Sequence, residues 1–409
     1  MDDSVTRRDV LAGVGTAGTI GMLGTGLVGR ACGQSTPVTV ATRNCYLGAD
    51  LFRLLAAAKA GGDALRTAVS DLVTAVDRSH PGARMGAIAD ELARTAPALV
   101  GIQEAALVRT GDPGGGTTPT AARVRYDFRD LLLSALDSRG PTYRVVAATE
   151  NADFELPATV DGERRAVRLT DHDLLLARED VTTGDPDTGS FDATLSLTQD
   201  DRTIRIDRGY GVVDATVGGR SLTVCNTHLE SAAAGTRTAQ AAELRDLLAD
   251  RADPVVLVGD LNSGPGASTA AYDRLTASFD DVAGTAGGTC CHAADLRNAD
   301  PSLDSRIDHV FVRGALRASD VTRIGAAPDA RIAADGEHLW PSDHAGVVAT
   351  LVPEERTATA TPTQTPRSTA TPTRTRTRTP TAGSGPGFGV AAAVAAFLGG
   401  GLAARGDDD

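Results

Sequence analysis

Four apolar runs in this chain end in the same way, on a short cluster of amide, carboxylate or imidazole side chains. Val38–Thr42 leads into Arg43-Asn44, Ala98–Gln103 into Glu104, Ser221–Asn226 into Thr227-His228-Leu229, and Pro254–Gly259 into Asp260-Leu261-Asn262. Two further clusters adjoin strand-like runs. Arg306-Ile307-Asp308-His309 opens Ile307–Val312, and Ser342-Asp343-His344 precedes Gly346–Val352. Runs of this length, rich in Val, Ile and Leu and bounded by polar residues, read as β-strands. A fold that uses these clusters together has to bring strand ends from the whole length of the chain to one place.

Other strand-like runs are Tyr143–Ala147, Asp173–Arg178, Arg202–Ile206 and Gly211–Val217. Helical periodicity is confined to Arg84–Thr95, Asp127–Asp137 and Gly235–Asp250, where Ala239, Leu244, Leu247 and Leu248 fall near one face. Many strands and few helices predict an α/β (α+β) fold, two packed sheets with helices outside. Gly- and Asp-rich stretches at 110–120, 184–190 and 283–289 are candidate rims of a site.

The two ends of the chain read as addresses. Residues 1–34 carry Arg7-Arg8 before a weakly apolar run from Val10 to Val28, the pattern of a twin-arginine export signal. The GxGxxG match at Gly13–Gly18 has no preceding strand and is not read as a nucleotide site. Residues 354–385 are rich in Thr, Pro and Arg, as in stiff glycosylated stalks. Residues 386–409 hold Pro386-Gly387-Phe388, an apolar run and Arg405, which resembles the sorting tails of archaeal surface proteins. The twin-arginine translocase and an archaeosortase-type enzyme are the expected partners in export, and the domain at 35–353 is expected outside the cell, anchored at its surface and monomeric.

Charge narrows less than usual. The formal net charge is −13, and Lys59 is the single lysine. This acidic, lysine-poor composition resembles that of proteins from salt-loving archaea. Acidity ordinarily disfavours nucleic-acid binding, but at high ionic strength the repulsion is screened. Cys45 and Cys225 each adjoin a candidate site residue at a strand end and could pair in an exported protein, but the sequence leaves their disulfide state, and that of Cys290 and Cys291, open.

Taken in order, the clusters resemble the endonuclease/exonuclease/phosphatase superfamily, the group of deoxyribonuclease I and the sphingomyelinases. Gly259-Asp260-x-Asn262 with Ser342-Asp343-His344 is the specific part of the likeness, which covers the whole domain at 35–353. The resemblance implies a four-layer sandwich, two facing mixed sheets flanked by helices. It implies a divalent metal, Mg²⁺ or else Mn²⁺ or Ca²⁺, held by Asn44, Glu104 and Asp343. It implies that Asp260 activates water, that Asn262 steadies the site, and that His344, held by Asp308, stabilises the transition state with His228. Arg208, His228 and Asn262 are the expected phosphate contacts. Such oxygen ligands suit a hard cation, and charge neutralisation and alignment dominate phosphoryl transfer. The expected reaction is hydrolysis of a phosphodiester in DNA, a phospholipid headgroup or a small molecule. The alternatives are a phosphomonoesterase of the same superfamily or a surface binding protein with a degenerate pocket.

Overall fold

In a computed structural model, the described residues are 36–114, 118–199, 202–266 and 268–354. The expected export signal, the sorting tail and the stalk beyond residue 354 lie outside them. Two mixed sheets carry the fold, with six α-helices among the described residues. In the first sheet Leu316–Ile324, Gly346–Pro353, Val38–Asn44, Leu99–Gln103 and Glu163–Arg178 lie side by side. Tyr143–Val160 pairs along the other edge of Glu163–Arg178. In the second sheet the central order is Asp308–Arg313, Val255–Asp260, Arg220–His228, Gly209–Val217.

One parallel pair in each sheet decides where the polar ends fall. Val38–Asn44 runs parallel to Leu99–Gln103, with Asn44 level with Gln103. Arg220–His228 runs parallel to Val255–Asp260, with His228 level with Asp260, and Asp308 faces Asp260 from the antiparallel neighbour. Parallel strands present like ends together, so residues far apart in sequence meet at one edge.

Val40, Leu99 and Leu175 of the first sheet pack against Val213, Val224, Val256 and Val310 of the second in a dry interlayer. The outer face of the first sheet meets helices Gly62–Arg78, Pro81–Thr95 and Phe128–Asp137 through residues such as Val76, Ile88, Leu92 and Leu132. The outer face of the second meets Ala234–Ala249 and Ala270–Thr276 through Leu244, Leu248 and Leu275. Each such aliphatic side chain contributes roughly 1.5–3 kcal/mol on full burial, which lets aliphatic packing replace aromatic bulk. The expected four layers are present.

The two sheets are also joined at their polar edge. Gln103 Nε2 donates to Asn226 Oδ1 at 2.7 Å, and Asn226 Nδ2 donates to the carbonyls of Ile102 and Leu174 at 3.1 and 2.9 Å. Gly101 permits this, because a Cβ there would stand 2.4 Å from Asn226 Oδ1.

Two expectations need correction, and the open question of cysteine pairing is answered. Tyr143–Ala147 and Asp173–Arg178 are the ends of a long hairpin, Tyr143–Val160 with Glu163–Arg178, whose middle is polar enough to hide its strands. Helix Gly62–Arg78 had no counterpart among the expected helices, although Val69, Leu72, Val73 and Val76 line one face at helical spacing. Cys45 and Cys225 are free and buried. They belong to packing layers on opposite outer faces of the sandwich, so their thiols cannot meet. The bonded pair is Cys290 with Cys291.

Candidate active site

The level register of three strands builds one half of the site. His228, Asp260 and Asp308 stand in a row across the edge of the second sheet. Gly259 makes this possible. Its φ is +152°, and a Cβ would lie 2.1 Å from the Thr227 carbonyl oxygen, so any side chain would force the strands apart. After Asp260 the chain turns through Asn262, at φ 48°. There Asn262 donates its backbone N–H to Asp260 Oδ1 at 2.8 Å, and its side-chain amide lies 3.0 Å from His228 Nε2. Arg208, buried just before strand Gly209–Val217, donates Nη1 to His228 Nδ1 at 3.0 Å. A guanidinium can only donate, so Nδ1 accepts from Arg208; Nε2 stands between the Asn262 amide, which donates to the Leu229 carbonyl at 2.9 Å, and Asp260 Oδ2 at 3.5 Å.

The first sheet supplies the other half. Asn44 Nδ2 donates to Glu104 Oε1 at 3.2 Å and to Asp260 Oδ2 at 3.1 Å, linking the two sheets' carboxylates. Glu104 adopts a left-handed φ of 56° and accepts the Leu47 N–H at 2.9 Å. Ser342 Oγ donates to the Asn44 carbonyl and accepts the His344 N–H, fixing the last loop against the first strand. His344 Nδ1 meets Asp308 Oδ2 at 2.8 Å, while Nε2 lies 3.8 Å from Asp260 Oδ2 and 3.9 Å from Asp343 Oδ1. All the candidate residues named from the sequence, Arg208 included, therefore lie in one contact network.

Burial sets the charges. It pushes the Asp260 carboxyl up to about 6, Asp308 adding to the rise and His344 opposing it. It pushes Asp343 up to about 7, with His344 opposing and Glu104 adding. Glu104 is raised by burial and then by Asp171. The two histidines move apart. His228 is driven well below its ordinary range by burial, then by Arg208 and His344. Burial also works to lower His344, but Asp308, Asp343 and Asp260 outweigh it and hold the ring protonated well above its ordinary range.

Sequence reasoning missed the supports. Arg43, fully buried, pairs with Glu91 at 3.0 Å and donates to the His344 carbonyl. Arg84, also fully buried, donates to the carbonyls of Cys45, Tyr46 and Pro341. The sequence signal was an arginine inside an apolar run or on a helix's apolar face, where an exposed cation is out of place. Asp171 and Asp173 were not among the candidate residues; Asp171 lies 3.7 Å from Arg208 and Asp173 3.9 Å from His228.

A divalent cation fits the donor set. Asp343 Oδ1 is buried without a hydrogen-bond partner, and Glu104 and Asp343 repel while Asn44 bridges to Asp260. Hard oxygen donors in mutual repulsion suit Mg²⁺ or Mn²⁺. Among the described residues, Asp260, Asp308 and His344 also place their ligand atoms within 4.8 Å of one another.

Buried carboxylates, an imidazolium and a neutral imidazole at the edges of two facing sheets define a metal-assisted phosphoesterase site. The sequence profile of the Endonuclease/Exonuclease/phosphatase family matches residues 61–344, well over half of the chain, and the chain belongs to that family. Similar solved structures include an endonuclease/exonuclease/phosphatase family protein from Bacteroides thetaiotaomicron, 17% identical, with a TM-score of 0.49 over 78% of this chain and 99% of that one. A mannosyl-6-phosphatase from the same organism is 19% identical, with a TM-score of 0.46 over 77% and 99%. Truncated TDP2 from Caenorhabditis elegans is 17% identical, with a TM-score of 0.43 over 78% and 98%. No curated protein matches the sequence.

Proposed function

We propose that this chain is an exported, surface-anchored, divalent-metal-dependent phosphodiesterase. The observation that carries the chemistry is the triple meeting of Asp260 with a protonated His344 and a neutral His228. Asp260, ionised above about pH 6, takes a proton from the attacking water. As the water oxygen bonds to phosphorus and the ester P–O bond breaks, negative charge builds on the phosphoryl oxygens. His344, kept cationic by Asp308, stabilises that charge. His228 faces the phosphate from the other side, its Nδ1 held by Arg208, and Asn262 fixes Asp260 through its backbone N–H. The departing oxygen takes its proton from solvent or from His344. Asn44, Glu104 and Asp343 would hold the cation, which when bound polarises the phosphate and screens its charge.

Retention of every polar group in this network supports an enzyme over a decayed pocket. Export and anchoring are supported by Arg7-Arg8, the Thr/Pro stalk and the Pro386-Gly387-Phe388 tail. Plasmid DNA, sphingomyelin, bis-p-nitrophenyl phosphate and a phosphomonoester, each assayed with Mg²⁺ and with chelator, test the reading. Metal-dependent turnover of a diester above the monoester is expected; turnover confined to the monoester replaces the diester reading, and no turnover of any sinks the enzyme. Cell fractionation with and without Arg7-Arg8 changed to Lys tests export, the altered chain being expected to remain inside.

A further inference from the structure

Beside the catalytic row lies a second acidic group that the proposed mechanism does not use. Asp171, Asp173 and His228 place one ligand atom each within 4.8 Å of one another. Asp173 is 2% exposed, and neither of its carboxylate oxygens has a hydrogen-bond partner. Leaving such a group unpaired in a protein interior costs about 1–3 kcal/mol or more. The Asn151 side chain and the Glu104 backbone N–H favour the ionised form of Asp173 from nearby without closing a hydrogen bond. His228 Nδ1 stands 3.9 Å from Asp173 Oδ1, and Arg208 spends its Nη1 hydrogen bond on that same nitrogen.

The charges are also out of balance. Asp171, Asp173 and Glu230 surround a single guanidinium, Arg208, and His228 is neutral. Burial and then Asp171 raise the Asp173 carboxyl well above its ordinary range; with its proton displaced, three carboxylates and one guanidinium leave two negative charges, the charge of one divalent cation. We propose that Asp171, Asp173 and His228 form a second divalent-cation site, separate from the one at Asn44, Glu104 and Asp343. The surroundings are ready for the change that entry requires. Arg208 Nε and Glu230 Oε2 are both buried, both without a hydrogen-bond partner, and 3.8 Å apart. A shift of about 1 Å brings them to hydrogen-bonding distance. Arg208 can thus give up His228 Nδ1 to the cation and satisfy Glu230 in the same movement. The role of this site, added positive charge on the His228 side of a bound phosphate, rests on the phosphoesterase reading; its binding does not.

The test counts ions without substrate. Mn²⁺ is titrated into the purified full chain and bound metal is measured by equilibrium dialysis and electron paramagnetic resonance. Two ions per chain are expected, with one lost in Asp173→Asn and in Asp171→Asn, and the other lost in Glu104→Gln. Asp171→Asn, at a more exposed position, decides the matter if circular dichroism shows Asp173→Asn unfolded. One ion in the unaltered chain, undiminished in Asp171→Asn, overturns the proposal. Two ions in a chain that hydrolyses nothing support this site while removing the phosphoesterase reading.

Discussion

His228 and His344 flank one carboxylate, 3.5 and 3.8 Å from Asp260 Oδ2, and both are buried. Burial works to lower both, yet one ends well below the ordinary imidazole range and the other well above it. On the His228 side the nearest charged group is Arg208 at 3.0 Å, with Asp260 and Asp173 beyond it at 3.5 and 3.9 Å; on the His344 side the nearest is Asp308 at 2.8 Å, with Asp260 and Asp343 beyond it at 3.8 and 3.9 Å. The same side chain is thus held neutral on one side of the pocket and cationic on the other. Depth does not separate them. The sign of the partner does, because Coulomb attraction in a weakly screened interior can exceed the desolvation cost.

Removing the carboxylate shared by both sides should have the largest effect. Asp260→Asn is expected to lower kcat by about 10²–10⁴-fold, the usual worth of a positioned base. In the unaltered enzyme kcat/KM should fall as pH drops through about 6, as Asp260 takes its proton. The stability consequence has the opposite sense. The folded state binds that proton more tightly than the unfolded chain, so its stabilising contribution is present at low pH and is lost as pH rises through about 6. Asp260→Asn, which never ionises, should therefore raise the melting temperature at pH 7–8 in chelator, by up to about 3 kcal/mol in stability terms.

Asp308→Asn attacks the His344 side alone. With its closest carboxylate neutralised, His344 should lose its proton at lower pH, bringing the alkaline limb of the rate profile inward and reducing kcat by about 10²-fold. Unchanged limbs would mean that Asp343 and Asp260 suffice to hold the imidazolium. Arg208→Gln is the complementary change on the His228 side. It should raise the His228 pKa, visible by proton NMR, and raise KM about tenfold, the worth of one charged hydrogen bond. An increase in kcat instead would show that Arg208 restrains His228. The smallest change is Thr289→Val. Thr289 Oγ1 accepts the backbone N–H groups of Ile307 and Asp308 at 3.1 Å each. Losing that acceptor should cost about 1–3 kcal/mol in denaturant unfolding, with a modest loss of kcat and no movement of the His228 resonance.

The parts legible in the sequence were those with a local signature. Asn44, His228, Asp260 and Asp308 each stand at the end of an apolar run, and strand pairing carried them together without further information. Gly259-Asp260-x-Asn262 announces a turn by its glycine. Partners fixed only by tertiary contact left no such mark. Nothing beside Arg43 in the chain points to Glu91, and the role of Asp173 depends on the register that sets it against Gln103's strand. Helix Gly62–Arg78 had a readable apolar face but lies in an alanine- and aspartate-rich stretch that masks it. The state of Cys45 and Cys225 stayed open because nearness to the site along each strand says nothing about which face a side chain takes.

The amide clasp between Gln103 and Asn226 lies beneath all of this and takes no part in the chemistry. It sets the separation of the two sheets at the very edge where their catalytic side chains emerge. With that floor fixed, the surrounding loops are free to lengthen, shorten or change charge while the reacting groups keep their spacing. A lineage built on this frame can acquire new substrates by editing its rim, and the same frame explains why a change in the clasp itself would damage activity toward every one of them alike.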